Sequence, residues 1–317
     1  MRRRTMLAGA AALAVPGVAR SQAWPTQSIR MVVPYPPGGS NDVIGRFLAE
    51  RIAPLVGQPF VVENRPGAGG YVGAELVARA APDGHTLTIV SNSLVTANPH
   101  LVRSSFDPMR DLVMVSRLVS VHTMLVVTPG LPAANVRELL ALVTSRRGQL
   151  SYPSSGVGSF QHLGAAALVG TDAEHVPYGG ATALLPDLMA GRTHLFVGAV
   201  NSLIPQVRDG RLRALAILGP DRIAQLPDVP TIAEAGFPDK EVPIWLGLAA
   251  PAATPRPIIA RLEALVAQVL SDPEGAAALT RQGIIPSALG SAETTALTVR
   301  EHREQGELIR RLGITPS

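Results

Sequence analysis

One short pattern constrains this chain more than any other: a β-branched apolar strand, a glycine- or serine-rich loop, and then a helical stretch. The pattern occurs three times, with loops at residues 37–40, 67–70 and 154–159. Strands that alternate with helices in this way are typical of α/β folds with largely parallel sheets. The sequence therefore predicts an α/β fold.

The glycine- and serine-rich loops have two interpretations. The amides that open a helix lack partners and lie at the positive end of the helix dipole, so such a loop suits an anion. Alternatively, each loop is simply a tight strand-to-helix turn. Two loops facing each other across a cleft would favour carboxylate capture. Ser40 is predicted to cap the first of these helices.

The N-terminus has the composition of an export signal. Arg2, Arg3 and Arg4 precede an uncharged apolar run, and small residues stand at Ser21 and Ala23. This predicts a signal peptide over residues 1–23 and an exported mature protein. Residues 3–7, RRTML, also resemble a twin-arginine signal, so the Sec and twin-arginine routes both stay open.

Charge and composition exclude several function classes. The chain has 28 Lys+Arg and 24 Asp+Glu, and the predicted signal peptide removes four arginines and no acid, which leaves 24 of each. Aromatic residues make up 4% and no basic stripe is interleaved with them, so nucleic-acid binding is not expected. Cysteine is absent, which excludes disulfides and thiol chemistry.

The sequence contains no complete motif for catalysis, metal binding or cofactor binding. Residues 67–73, GAGGYVG, resemble a dinucleotide fingerprint, but Asn64-Arg65-Pro66 intrudes between strand and glycines and the spacing is wrong. Phosphate-loop, G-x-S-x-G and HExxH signatures are missing, and the histidines lack metal-ligand spacing. His162 is interpreted as a helix-packing group rather than a base. We expect no catalytic residue, no metal and no cofactor.

Six strings in chain order resemble a known family. They are PYPPGGSND at 34–42, VENRPGAGG at 62–70, APDGHTL at 81–87, YPSSGVGS at 152–159 followed by His162, HVPYGG at 175–180 and WLGLAAP at 245–251. Together they are similar to the receptors of the tripartite tricarboxylate transporter family, often called Bug proteins. The resemblance covers essentially the whole mature chain.

The resemblance implies a two-lobed periplasmic-binding-protein fold, type II-like, with a ligand cleft between the lobes. Residues 24–122 and 249–317 would form lobe 1, and residues 123–248 lobe 2. It implies a monomeric periplasmic receptor that captures a small carboxylate and delivers it to large and small integral membrane subunits. The alternative is an orphan receptor that signals to a sensor partner. An exported enzyme is a third possibility, against which the missing motifs argue.

The resemblance also implies a ligand-binding set without any cation. Asp42 has two interpretations, stabilisation of the helix dipole or contact with a ligand hydroxyl, ammonium or water. Gly179 stands where relatives often carry a longer side chain, and we expect it to reshape the distal pocket; Gly164-Ala165-Ala166 and Gln305 are expected to alter packing. The implied binding residues are Pro37, Gly38, Gly39, Ser40, Asp42, Ser91, Thr96, Ser154, Ser155, Gly158, Ser159, Tyr178 and Gly179.

Overall fold

The computed structural model describes residues 24–315, so the predicted signal peptide lies outside the described residues. Not one helix in this range is both long enough and apolar enough to span a bilayer. The strands are β1 (Ile29–Val33), β2 (Phe60–Asn64), β3 (Thr86–Ser91), β4 (Leu112–Val121), β5 (Thr123–Val127), β6 (Ser151–Ser154), β7 (Glu174–Pro177), β8 (Leu195–Ala199), β9 (Arg213–Ile217), β10 (Ile244–Pro251) and β11 (Ile284–Leu289).

Helices follow most of the strands, as the alternating pattern predicts. They are α1 (Ser40–Val56), α2 (Tyr71–Ala78), α3 (Asn92–Thr96), α4 (Pro108–Asp111), α5 (Val136–Ser145), α6 (Phe160–Val169), α7 (Ala181–Met189), α8 (Val200–Arg208), α9 (Arg256–Leu270), α10 (Pro273–Thr280) and α11 (Ser291–Arg311). The α/β class is confirmed.

The larger sheet is mixed rather than largely parallel, so that part of the prediction is wrong. Its six strands run in the order β11-β4-β10-β3-β1-β2. β1 pairs in parallel with β2 and β3, whereas β10 and β11 pair antiparallel with their neighbours. β4, β10 and β11 make the antiparallel pairs of this sheet. Apolar runs identify strands but do not give their direction.

The molecule has two lobes, and its larger hydrophobic clusters each lie mainly in one lobe or the other. In the larger lobe, α1 and α9 pack on the six-stranded sheet, with Leu48, Ile89 and Leu262 fully buried. In the smaller lobe, α5 and α6 pack near the antiparallel sheet β8-β5-β9 and the parallel pair β6-β7, with Leu139 and Val197 in the core. The fold is that of a two-lobed α/β protein.

Two crossings between the lobes lie side by side. Only His122 separates β4 in the larger lobe from β5 in the smaller one, and the returning chain enters β10 at Ile244. The Thr123 hydroxyl donates to the Val242 carbonyl oxygen at 3.0 Å, which ties the crossings together. The predicted return at residue 249 lies inside β10, and we propose that the lobes change at His122 and just before Ile244.

Truncation of the larger core should destabilise the protein strongly. Leu48 is 0% exposed and faces the sheet from α1, whereas Leu55 in the same helix is 41% exposed. We expect Leu48→Ala to lower the free energy of unfolding by about 2–5 kcal/mol. Leu55→Ala should change it by no more than ~0.5 kcal/mol. Chemical denaturation of both variants measures this, and equal losses would contradict the assigned packing.

Candidate functional site

A cleft of about 490 Å³ lies between the two lobes. Its walls come from the loops after β1, β2 and β3 on one side and after β6, β7 and β8 on the other. No side chain that lines it, within residues 24–315, carries a charge. Anything charged that enters must therefore be held by dipoles and hydrogen bonds.

The loop after β1 opens helix α1 at this cleft. Gly39, not Ser40, is the N-cap residue, with φ −80° and ψ 170°, so the predicted cap is wrong. Glycine supplies no capping side chain, and the Ser40 hydroxyl instead donates to Asn201 Oδ1 at 2.9 Å. The first intrahelical bond runs from the Asp42 amide to the Gly39 carbonyl, at 3.0 Å. Ser40 and Asn41, whose amides precede that bond, both line the cavity.

Asp42 holds the shape of this loop from behind. Its Oδ2 accepts from the Gly38 amide and from Arg46 Nε, each at 3.0 Å, and its Oδ1 accepts from Asn64 at 3.0 Å. Burial raises the pKa of Asp42, but the hydrogen bonds from Arg46, Asn64 and Gly38 outweigh burial and lower it. The Gly38 amide is consequently engaged inside the protein. Gly38 itself has φ +87°, a conformation that favours glycine.

The loop after β6 opens helix α6 on the opposite wall. The Ser159 hydroxyl accepts from the His162 amide at 3.3 Å and caps the helix. The Gly158 amide donates to His162 Nδ1 at 3.2 Å, and Ser154 Oγ lies 2.6 Å from His175 Nε2. The first two helical residues, Phe160 and Gln161, line the cavity. Both helix N-termini therefore face one space.

Two histidines support this loop without charge. The His162 and His175 rings stack with centroids 3.8 Å apart and planes 12° from parallel. Burial, and next the neighbouring His175, lower the pKa of His162 to about 4, and burial also lowers the pKa of His175. A neutral imidazole leaves Nδ1 free to accept the Gly158 amide hydrogen. His162 is thus a packing and positioning group, as expected.

Contacts between the lobes close the cleft at its edges. The Ser40–Asn201 bond joins the lobes at one edge, and within the larger lobe Asn98 Nδ2 donates to the Gly69 carbonyl oxygen at 3.2 Å. A Cβ on Gly158 would lie 2.4 Å from Asn98 Oδ1. Only a residue without a side chain fits where the two lobes meet at this point.

The predicted binding residues divide into two groups. Gly38, Asp42, Thr96, Ser154 and Gly158 do not line the cavity; apart from the exposed Gly38, they are buried behind it, and direct ligand contact by them stays a prediction. Those that line the cavity are Pro37, Gly39, Ser40, Ser91, Ser155, Ser159, Tyr178 and Gly179.

Several lining residues were not in the predicted set. The loop at residues 67–70 has the same strand–glycine–helix signal as the other two, so it could have been included; Gly69 and Gly70 both adopt positive φ there. Tyr35 lies 2.8 Å from Ser91 Oγ, and burial raises the pKa of the Tyr35 phenol to about 12. Asn201 follows β8, where no sequence signal marks it.

A family model described as the tripartite tricarboxylate transporter family receptor matches residues 44–314. The chain belongs to this family. The UPF0065 protein of the tcbD-tcbE intergenic region of Pseudomonas sp. (strain P51) is 37% identical over 310 residues, covering 96% of this chain and 92% of that protein.

Solved structures of similar proteins support the same assignment. Rpa4515 of R. palustris with adipate is 32% identical, with a TM-score of 0.87 over 93% of this chain and 100% of that one. MatC of Rhodopseudomonas palustris with bound malate is 30% identical, with a TM-score of 0.83 over 90% and 100%. The periplasmic binding protein BugD is 28% identical, with a TM-score of 0.85 over 93% and 100%. The chain is therefore a solute-binding receptor of the Bug type.

Gly158→Ala should destabilise the closed arrangement of this Bug-type receptor. Gly158 has φ +78°, and its Cβ would overlap Asn98. We expect a loss of about 2–4 kcal/mol in the free energy of unfolding, from backbone strain and overpacking together. Gly210→Ala is the control, because Gly210 has φ +69° and open space around it. Asn98→Ala in the Gly158→Ala background should restore part of the loss, and equal losses in both single variants would contradict the overlap.

The stability of the protein should fall in mild acid through His162. The unfolded imidazole titrates near pH 6.5, and the folded one at about 4, so the unfolded chain binds more protons between these values. The contribution is complete above about pH 6.5 and declines as the pH falls toward 4. His162→Asn keeps an acceptor for the Gly158 amide and should flatten the pH profile of the melting temperature. An unchanged slope in that variant would contradict the assignment.

Proposed function

We propose that this protein captures a small carboxylate between its lobes and presents it to a tripartite tricarboxylate-type transporter. The observation that carries the proposal is the convergence of two helix N-termini, α1 with Ser40 and Asn41 and α6 with Phe160 and Gln161, on one uncharged cleft. Amides at a helix start and the dipole behind them favour an anion.

A carboxylate fits this donor set better than a sugar or an amine does. Its oxygens accept hydrogen bonds from amides and hydroxyls, directly or through water. A cation would meet the positive ends of two helices, and no acidic side chain among residues 24–315 lines the cavity to offset that. The adipate and malate bound by similar proteins are both carboxylates, which supports the same ligand class here.

Closure of the lobes is the proposed signal to the transporter. The two sets of amides belong to different lobes, so a ligand contacts both only when the cleft is shut. It therefore favours the closed state by its difference in affinity between the two states. The partners would be the large and small integral subunits, and the receptor would act in the periplasm as a monomer after loss of the signal peptide. We expect no catalysis, so a bound acid should be recovered chemically unchanged.

Gly39→Val should weaken carboxylate binding. Gly39 has ordinary φ of −80°, so the substitution adds little backbone strain, and its Cβ meets no atom within 4 Å. The branched side chain would project beside the Ser40 and Asn41 amides. We expect a loss of about 1–3 kcal/mol in binding free energy, the scale of an unmet buried polar group.

Isothermal titration calorimetry tests this with the tightest acid found in a thermal-shift screen that begins with adipate and malate. Gly130→Val serves as the control, because Gly130 is also surrounded by open space and lies outside the cleft. Equal affinity in the Gly39→Val and Gly130→Val variants would place the ligand elsewhere. Screening hits restricted to amines or neutral sugars would overturn the receptor–carboxylate assignment.

A further inference from the structure

Away from the two helix N-termini, the walls of the cleft are largely hydrocarbon. Both lobes contribute, and β4 and β10 supply the floor. The apolar side chains of this region include Val102, Val121, Phe196, Ile244 and Leu246, and Phe160 adds an apolar ring at the start of α6. A ligand body in contact with them gains by leaving water only if it is apolar too.

Most polar side chains at the cleft already have protein partners. Gln161 donates to Ser155 Oγ at 2.9 Å, Ser159 to the Gly156 carbonyl oxygen at 2.8 Å, and Tyr178 to Asp187 at 2.8 Å. Among the lining side chains within residues 24–315, Asn41 Oδ1 alone is buried without a partner. Sites that select hydroxylated or multiply charged ligands need polar groups reserved for them. This cleft holds few such groups.

A second carboxylate would find no counter-charge. The lining contains no Lys, Arg or His within the described range. Gly179 adds no side chain to the wall: a Cβ there would meet no atom within 4 Å, and the φ of Gly179 lies outside the left-handed region, so the backbone accepts a larger residue. An unpaired carboxylate against hydrocarbon loses its hydration without compensation.

The size of the cleft suits more than a four-carbon acid. A volume of about 490 Å³ lies within the range of about 300–1,000 Å³ that is typical of pockets for drug-sized ligands. A short hydroxy acid would leave most of that space to water.

We infer that the ligand is a monocarboxylate with an apolar alkyl or aryl body, held by its carboxylate at the amides of α1 and α6 and by its body against the hydrocarbon wall. This inference rests on the proposed function, because it assumes that the ligand has a carboxylate bound at the helix N-termini. It adds that a second charged group is selected against.

The test compares ligands of matched length by isothermal titration calorimetry on the intact mature protein. The six-carbon set is hexanoate, adipate and hexylamine, and the eight-carbon set is octanoate, suberate and octylamine. We expect the monocarboxylate in at least one set to bind about tenfold or more tightly than its diacid, equivalent to ~1.4 kcal/mol. The amines should not bind.

The outcomes separate the two claims. Diacids that bind as tightly as the monoacids, or more tightly, would overturn the inference and leave carboxylate capture intact. Amines that match the monoacids would overturn the carboxylate receptor itself, and no binding in either set would overturn both.

An added cation at Gly179 gives an independent measurement. Gly179→Arg should shift the ratio of diacid to monoacid affinity toward the diacid by about tenfold, since the guanidinium pairs with a second carboxylate. Gly130→Arg adds the same charge outside the cleft, at a glycine whose Cβ would also meet no atom within 4 Å, and should leave the ratio unchanged. If the ratio of diacid to monoacid affinity were equal in the two variants, the uncharged wall would not be what selects against diacids.

Discussion

The first amides of an α-helix cannot be satisfied within the helix, and this protein places two such ends in one cleft. Ser40 and Asn41 open α1 in the larger lobe, while Phe160 and Gln161 open α6 in the smaller one. The neighbouring loops depend on that arrangement. A glycine caps α1 without occupying the space in front of it, whereas the Ser159 side chain satisfies one amide of α6 and leaves the first two available.

Behind each helix end, the supporting groups are arranged so that no net charge reaches the cleft. Asp42 is neutralised by Arg46 while it fixes the Gly38 amide. The stacked pair His162 and His175 stays neutral because both imidazoles are buried. The charged groups that shape the loops therefore pair with each other, and the helix dipoles remain the main electrostatic feature that a ligand meets.

The sequence predicted the parts of this architecture that local patterns encode. Strand–glycine–helix units predicted the α/β class and the loops at residues 37–40 and 154–159. The need for glycine at position 158 could not be predicted in this way, because it follows from a contact with Asn98, which is remote in sequence. Strand direction was missed in β4, β10 and β11 because pairing partners are not local. Asn201 was missed for the same reason, since its role depends on Ser40 across the cleft. Residue type alone also gave the wrong N-cap for α1: the sequence predicted Ser40, and the N-cap residue is Gly39.

The bond from Ser40 to Asn201 and the close fit of Gly158 on Asn98 involve protein groups on both sides. They stabilise the shut form whichever ligand is inside, and they set how often the empty receptor visits that form. The equilibrium between the open and shut forms of the empty receptor therefore contributes equally to the affinity of every ligand. Affinities differ from one ligand to another only through the contacts that each ligand makes itself. Strengthening these contacts would tighten binding of all ligands together, but it would also make the empty and loaded receptor harder for a partner to distinguish.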